Sequence, residues 1–207
     1  MARPLSFDKH KVLAIVERQF RQGGYAGTSL DEIASVSRLG RGSLYAAFGD
    51  KHKLFLRTLH DYCGRQEAAV AAALEGPDDT ALQRLHDYLI GNLRNAFDDP
   101  DLLGCMAGRF ALELGGSDTE AAQRISRTFA AQRYALQKCC AAAQRHGDLD
   151  PAVNPEEIAA MLLALARGID VMARGGAEEK LMKATALRAL AGLPTTDQGR
   201  RKLERLT

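Results

Sequence analysis

The chain has 207 residues, of which 46% are hydrophobic and 26% are charged, and its formal net charge is +2. No apolar run approaches the roughly 20 residues that cross a bilayer and no signal peptide precedes Ser6, so we expect a cytoplasmic protein without a membrane partner. Four cysteines with no CxxC pair fit a reducing compartment and argue against a disulfide framework.

The charge is unevenly distributed along the chain. Residues 1–60 contain ten Lys and Arg against five Asp and Glu, whereas the remaining residues contain 18 against 21. A basic N-terminal part joined to an acidic remainder indicates that the N-terminal part binds a polyanion.

Three helices are predicted near the N-terminus. The first is expected to be capped by Ser6 and to end at Gly23–Gly24, with apolar residues at helical spacing between them. A second helix over residues 30–35 follows a capping box formed by Ser29 and Glu32. After a short link, a third helix over residues 41–48 completes a helix-turn-helix, whose second helix can enter a DNA major groove.

The residues of this stretch resemble the DNA-binding domain of the TetR family of transcriptional regulators. The matching positions are Phe20, Gly24, Tyr25, Thr28, Ser29, Leu30, Ile33, Ala34, Gly42, Ser43, Leu44, Tyr45, Phe48, Lys51 and Leu54. Two positions depart from the family pattern. Arg38 stands in the turn where glycine is usual, so it either occupies a differently shaped turn or carries backbone strain. Gly40 opens the recognition helix where serine is frequent.

The resemblance implies a set of DNA contacts. Arg41 is the first candidate for base readout because its planar fork can bond guanine O6 and N7. Thr28, Tyr45 and Lys51 match family positions that hold the phosphate backbone. The complete predicted set is Thr28, Ser29, Gly40, Arg41, Ser43, Tyr45 and Lys51. Arg3 and Lys53 are further phosphate candidates, and each is equally well explained as a solvated surface charge.

The rest of the chain shows no strand-like alternation, which predicts an all-α protein. Six further helices are expected. Their approximate ranges are 50–74, 80–97, 104–114, 117–146, 155–174 and 178–190, with Ser117 and Glu120 as a second capping box and Asn154–Pro155 as a helix start. The predicted organisation is a helix-turn-helix domain over 1–50, a helical ligand-binding and dimerisation domain over 51–192, and a flexible tail over 193–207.

The helix over 155–174 is apolar nearly all round, so it must be covered by its own domain or by a second subunit. In the resembled family the last two helices form a four-helix dimer interface. The residues predicted there are Ile158, Met161, Leu162, Leu165, Ile169, Met172, Leu187 and Leu190. A two-fold homodimer would place two recognition helices on a palindromic operator.

The resemblance also implies a ligand pocket among the middle helices, whose occupancy changes the separation of the DNA-binding domains. The candidate wall residues are Leu89, Leu93, Met106, Phe110, Phe129 and Tyr134. The same stripe is also what an ordinary helical core produces. The inducer is expected to be a small molecule or an electrophile.

Cys105 is a candidate sensor. Gly104-Cys105-Met106 is similar to a TetR subgroup in which a cysteine at the start of a middle helix reacts with electrophiles or oxidants, and a helix N-terminus favours the thiolate. A buried core cysteine is the alternative, and Cys139 and Cys140 are interpreted that way.

A helical thiol enzyme that uses Cys105 is the alternative function. An enzyme needs a base beside its nucleophile, and no histidine lies near Cys105 in the sequence. We therefore expect no catalytic residue and no cofactor. No metal site is expected either, because His60 and Cys63 lie one helical turn apart without a second pair.

Overall fold

The computed structural model describes residues 8–206, and within this range the protein contains ten α-helices, one short 3-10 helix and no β-strand. The helices are α1 (Lys9–Gly23), α2 (Leu30–Ser37), α3 (Arg41–Phe48), α4 (Lys51–Leu74), α5 (Ala81–Asp98), α6 (Met106–Leu114), α7 (Thr119–Arg145), α8 (Pro155–Arg174), α9 (Glu179–Ala191) and α10 (Asp197–Glu204), with the 3-10 helix at Asp78–Thr80. The all-α prediction is confirmed. Across the described residues no helix is both long and apolar enough to cross a bilayer.

Side-chain caps fix where several helices begin. Asp8 caps α1 by accepting a hydrogen bond from His10 N at 2.9 Å, so the predicted cap at Ser6 is replaced; Ser6 itself lies outside the described residues. The predicted capping box of α2 is confirmed, because Ser29 Oγ accepts from Glu32 N at 3.2 Å and Glu32 Oε2 accepts from Ser29 N at 2.7 Å.

The start of α7 differs from the prediction. Asp118 accepts a hydrogen bond from Ala121 N at 3.0 Å, and the helix begins at Thr119. The predicted capping box of Ser117 and Glu120 is therefore wrong. A carboxylate one residue later satisfies the free N–H group and also interacts favourably with the helix dipole. The predicted start of α8 is correct, since Asn154 accepts from Glu156 N at 2.9 Å and Pro155 occupies the first turn.

The chain forms two compact units. The first runs through Arg65 and also includes Met106–Ser126, so it contains α1 to α3, α4 as far as Arg65, α6 and the start of α7. The second consists of Gln66–Cys105 and the chain from Arg127 onward. These units differ from the predicted division at residue 50, because α6 packs with the N-terminal helices.

Aromatic rings hold the first unit together. The Phe55 ring of α4 lies edge-on to Phe20 of α1 at 5.2 Å, to Tyr25 at 5.0 Å and to Phe110 of α6 at 4.8 Å between ring centroids. Such aromatic pairs contribute about 0.5–1.5 kcal/mol each beyond the burial of their area. Phe55 therefore joins α1, α4 and α6.

The second unit has its own apolar core, built mainly from α5, α7, α8 and α9. Its members include Leu82, Leu85, Leu89, Leu93, Leu136, Cys140, Ile158, Leu162, Ile169, Met182 and Leu190. The inward faces of α5 and α8 pack against each other along this core, which explains why α8 carries so few polar residues.

The C-terminal segment is ordered as α10, whereas the sequence predicted a flexible tail over 193–207. Thr196 Oγ1 caps the helix by accepting a hydrogen bond from Gly199 N at 3.2 Å, and it donates to Gly147 O at 2.6 Å. Leu203 is buried. Gly199 is essential to this packing, because a Cβ there would lie 2.0 Å from Asp148 O. The tail prediction is wrong for Asp197–Glu204.

Candidate nucleic-acid interface

The exposed face of α3 carries the side chains that the sequence predicted for DNA. Leu44 and Phe48 are buried and anchor the helix, while Arg41, Ser43 and Tyr45 are exposed. Gly40 is the N-cap residue; it provides no side-chain cap, and a Cβ there would meet no atom within 4 Å. The N-terminal end of α3 is thus open to a large partner.

Arg38 occupies the turn between α2 and α3 in the left-handed conformation, with φ 55° and ψ 30°. Its N–H bonds Ser35 O at 3.3 Å and closes the end of α2. Of the two alternatives stated for Arg38, the strained backbone is the one found, at a cost of roughly 1–2 kcal/mol for a residue with a Cβ. The Arg38 side chain is exposed beside α3, so it joins the basic surface as a residue that the predicted set omitted.

Arg41 forms an ion pair with Asp31 of α2. Both side chains are more than half exposed, at 62% and 60%. The pair holds the guanidinium at the start of α3. A base edge or phosphate that takes this guanidinium must replace the Asp31 carboxylate.

Two residues of the predicted DNA-contact set use their side chains inside the helix-turn-helix. Thr28 is buried and its hydroxyl donates to Gly24 O at 2.7 Å, which corrects the prediction of a side-chain contact to DNA. Ser29 is exposed, yet its hydroxyl is engaged in the capping box with Glu32. Both residues shape the turn that positions α2.

Lys51 is the first residue of α4, and its ammonium lies 4.6 Å from the centroid of the Tyr25 ring. Lys53 remains exposed with its ammonium 3.8 Å from Asp50 Oδ2. The N–H of Lys53 also bonds Asp50 and holds the pKa of that carboxyl below its usual range. Arg3 lies outside the described residues.

Within the first unit, α6 is bound at both ends. Met106 N donates to Tyr62 Oη at 3.2 Å, and Glu113 Oε1 accepts from Tyr25 N at 2.7 Å and from Ala26 N at 3.2 Å. Tyr25 and Ala26 form the turn between α1 and α2. Glu113 was absent from the predicted set, since no local pattern connects residues so distant in the chain.

Comparison with known proteins identifies the family. Residues 13–58 match the model described as bacterial regulatory proteins, tetR family, and residues 81–189 match the tetracyclin repressor-like C-terminal domain. The chain belongs to the TetR family. One relative is the HTH-type transcriptional repressor ComR of Escherichia coli K12, which is 30% identical over 183 residues, or 87% of each chain.

Solved structures show the same TetR fold. The reduced form of E. coli NemR has a TM-score of 0.79 at 18% identity and covers 91% of this chain and 97% of its own. A cysteine mutant of the TetR-family regulator CifR, complexed with 26 bp of double-strand operator DNA, has a TM-score of 0.75 at 24% identity and covers 93% of this chain and 100% of its own.

In this TetR-family chain, Cys105 directly precedes α6 and is partly exposed, whereas Cys63, Cys139 and Cys140 are buried. The loop that carries it is held in the second unit. Arg174 Nη1 donates to Leu103 O at 3.2 Å, and Gly104 adopts a φ of 65° beside Asp170 of α8.

The predicted ligand-wall residues of the TetR-type pocket are divided between the two units. Leu89 and Leu93 are buried in the core of the second unit, and Phe129 packs against that core. Met106 and Phe110 belong to the first unit. Tyr134 is 60% exposed, and the Lys138 ammonium lies 5.1 Å from its ring centroid.

The predicted dimer residues of α8 and α9 separate into two groups. Ile158, Leu162, Ile169 and Leu190 are buried in the core of their own chain, so their assignment to an interface is corrected. Met161 and Met172 are exposed, and Leu165 and Leu187 are partly buried. The exposed stripe of α8 consists of Met161, Ala164, Gly168, Val171 and Met172, with Leu181 exposed on α9. This stripe carries no charge.

Metal ligands do not cluster anywhere among residues 8–206, where no group of three or more His, Cys, Asp or Glu side chains could hold an ion. His60 is exposed and Cys63 is buried, so this pair faces different surroundings.

Proposed function

We propose that this protein is a homodimeric transcriptional repressor that binds a palindromic operator through α3. An inducer acting on the second unit releases it from the operator. The observation that carries this proposal is the exposed face of α3 in a helix-turn-helix of the TetR family. The repressor role is supported by the ComR relative, and operator binding by the CifR complex. Its proposed location is the cytoplasm, where bacterial operators lie.

The proposed reading mechanism starts from the ion pair of Arg41 with Asp31. At the operator, the Arg41 fork leaves Asp31 and bonds the O6 and N7 acceptors of a guanine. Tyr45 and Lys51 bind phosphates and fix the register without reading the sequence. Arg38 adds a further positive charge near α3.

The proposed dimer forms along the uncharged stripe of α8 around Met161 and Val171, extended by Leu181 of α9. The stripe follows helical spacing of three and four residues, so it forms a continuous apolar face once the opposite face is buried in the chain's own core. A two-fold contact pairs this face with itself and gives the symmetry that a palindrome requires.

The proposed signal enters the second unit, either at Cys105 or at a non-covalent ligand site elsewhere in that unit. Cys105 directly precedes α6, and α6 is tied to Tyr62 at its first residue and to the α1–α2 turn through Glu113. Alkylation or oxidation of the thiol enlarges the residue before α6. A displaced α6 no longer holds the turn, and the population shifts from the DNA-binding arrangement.

Binding of the reduced protein to genomic DNA fragments tests these steps, before and after treatment with N-ethylmaleimide, with Cys105→Ser and Cys63→Ser alongside. We expect salt-dependent, sequence-selective binding that alkylation abolishes in the native protein and in Cys63→Ser but not in Cys105→Ser. Selective binding that survives alkylation in all three would assign release to a non-covalent ligand. Absence of selective binding would contradict the repressor function itself.

Two substitutions test the assigned roles in DNA binding. Arg41→Ala should reduce preference for operator over random DNA, by roughly 1–3 kcal/mol of discrimination. Lys51→Ala should weaken binding to both DNAs alike and reduce the salt slope by about one. Equal losses on operator and random DNA for Arg41→Ala would refute its base-reading role.

A further inference from the structure

The second unit contains a cavity of about 260 Å³ between the end of α4, the start of α5 and the C-terminal half of α7. Its apolar wall consists of small or aliphatic side chains, Ala71, Leu74, Ala135 and Ala142, together with the thiol of Cys139. This cavity involves none of the residues predicted for the inducer.

Arg84 is held rigidly at this cavity. Its Nη1 donates to Pro77 O at 2.7 Å and to Thr80 Oγ1 at 2.5 Å. Gly76 leaves room for the guanidinium, since a Cβ there would lie 2.5 Å from Arg84 Nη1. The Nε group, in contrast, is buried and out of reach of a ligand in the cavity. The positive charge of the guanidinium, and not its Nε group, is therefore what the cavity offers to an anion.

The charges around the cavity favour an anion. Arg145 is neutralised by a two-point ion pair with Asp78, at 2.8 and 2.9 Å. The remaining charged lining residues are Arg84 and Lys138 against Glu75. One positive charge is thus in excess.

Cys139 provides an uncharged wall beside this excess charge. Its Sγ lies 3.4 Å from Ala81 O. Burial raises the pKa of the Cys139 thiol above its usual range, and the Arg84 guanidinium only partly opposes that rise. The thiol is therefore protonated at neutral pH and contacts a ligand as a small apolar group.

We infer that this cavity binds a small organic monocarboxylate, with the carboxylate on Arg84 and Lys138 and the apolar body against Leu74, Ala135 and Cys139. An Arg–carboxylate contact is charge-assisted and roughly twice as strong as a hydrogen bond between neutral groups. The cavity is smaller than most drug-sized sites, which limits the ligand to about one ring or a short chain. This inference stands whether or not Cys105 is the sensor.

Fluorine NMR with 4-fluorobenzoate as the probe tests the site in the absence of DNA. We expect saturable binding to the native protein and at least about tenfold weaker binding to Arg84→Gln, because one charge-assisted contact is lost. The neutral isostere 4-fluorobenzamide should bind at least about tenfold more weakly than the carboxylate. Arg94→Gln, on the exposed side of α5, should bind like the native protein.

Three results would overturn the inference: no saturable binding of 4-fluorobenzoate, equal binding of the amide, or equal weakening in Arg84→Gln and Arg94→Gln. Arg84 also bonds the Pro77–Thr80 turn, so circular dichroism must accompany the first variant. If Arg84→Gln is unfolded, Lys138→Gln decides instead, because Lys138 is exposed and its removal leaves that turn intact. Several-fold weaker binding supports the site, and unchanged binding rejects it. Since no DNA is present, failure here is distinct from failure of the repressor function.

Discussion

Gly24 lies against Glu113 so closely that a Cβ on residue 24 would be 2.8 Å from Glu113 Oε2. Gly24 also has a φ of 78°, a conformation that glycine adopts without strain. The missing side chain lets the carboxylate of α6 reach the N–H groups of Tyr25 and Ala26. The glycine and the glutamate are therefore two halves of one contact between α6 and the α1–α2 turn.

Glu113→Ala should loosen this turn. Two N–H groups lose a charged acceptor and bond water instead, which costs about 1 kcal/mol at an exposed position. Amide hydrogen exchange at Tyr25 and Ala26 should accelerate, and operator affinity should fall about fivefold. Glu120→Ala, an exposed change at the start of α7, is the matched control and should alter neither measurement. Unchanged exchange in Glu113→Ala would exclude the contact as a determinant of the turn.

Arg38→Gly should stabilise the protein by about 1 kcal/mol. Glycine removes the left-handed strain at φ 55° but loses more entropy on folding, so the net gain is smaller than the strain itself. Urea unfolding followed by circular dichroism measures the difference. Arg38→Ala is the control, since it removes the charge and keeps the Cβ. A midpoint for Arg38→Gly at or below that of Arg38→Ala would show that the turn is not strained.

Asp31→Asn should tighten DNA binding several-fold. The substitution removes a negative charge from the surface and frees Arg41, so the ion pair no longer has to be broken when the guanidinium bonds the operator. Affinity measured for operator and for random DNA at one salt concentration should show the larger gain on the operator. The part of the gain in DNA affinity that comes from the freed Arg41 should disappear in the double variant Asp31→Asn/Arg41→Ala. Asp197→Asn on α10 is the control for the loss of a distant negative charge. A full gain in the double variant would show that the ion pair is irrelevant to binding.

Val171→Glu should prevent dimerisation. It places a charge on the uncharged stripe of α8, where a two-fold contact would bring two such charges together. Light scattering after size-exclusion chromatography should give the monomer mass, and operator binding should be lost with it. Ala72→Glu, an exposed change on α4, should stay dimeric. A dimeric Val171→Glu would place the subunit contact elsewhere.

Asp148→Asn should weaken the attachment of α10 in a pH-dependent way. Burial of Asp148 would raise the pKa of its carboxyl, but hydrogen bonds from Lys202, Gln198 and His146 lower that pKa below its usual range. A lowered folded pKa contributes stability above the unfolded value of about 3.9 and loses it as the pH falls through the folded value. The native protein should thus exceed Asp148→Asn by about 1.5–3 kcal/mol near pH 7.

Urea unfolding of both proteins between pH 7 and pH 2.5 checks this expectation. The difference in free energy should shrink only below about pH 4, where the native carboxylate is protonated. A difference that is the same at pH 7 and pH 2.5 would contradict an ionised Asp148 as its source.

The sequence predicted the features whose signals are local. The capping box of Ser29 and Glu32 lies within four residues, and Arg38 stood out because a turn position that favours glycine held a residue with a Cβ. Apolar spacing gave the helices in the right order. Asp118 was missed because two good caps, Ser117 and Asp118, are adjacent, and sequence alone does not choose between them.

The remaining errors concern distant contacts. α8 is apolar on nearly every side, so its pattern could not show which face the chain itself buries, and Ile158 and Leu162 were assigned outward instead of inward. The order of α10 depends on Gly199 against Asp148 and on Lys202 bonding that carboxylate at 2.8 Å. Neither contact is indicated by a pattern within one stretch of sequence.

The first unit is assembled from two separate stretches of the chain, with Phe110 supplying one face for the Phe55 ring and Glu113 closing the α1–α2 turn. A hybrid regulator that takes only the N-terminal helices from this protein would lose Phe110 and Glu113. The Phe55 ring and the N–H groups of Tyr25 and Ala26 would then face residues of another protein. Recombination between regulators of this kind must therefore carry α6 together with α1 to α3, although about forty residues of unrelated packing lie between them in the gene. The DNA-binding unit that must be inherited together therefore consists of two chain segments that pack against each other, and not of one continuous segment.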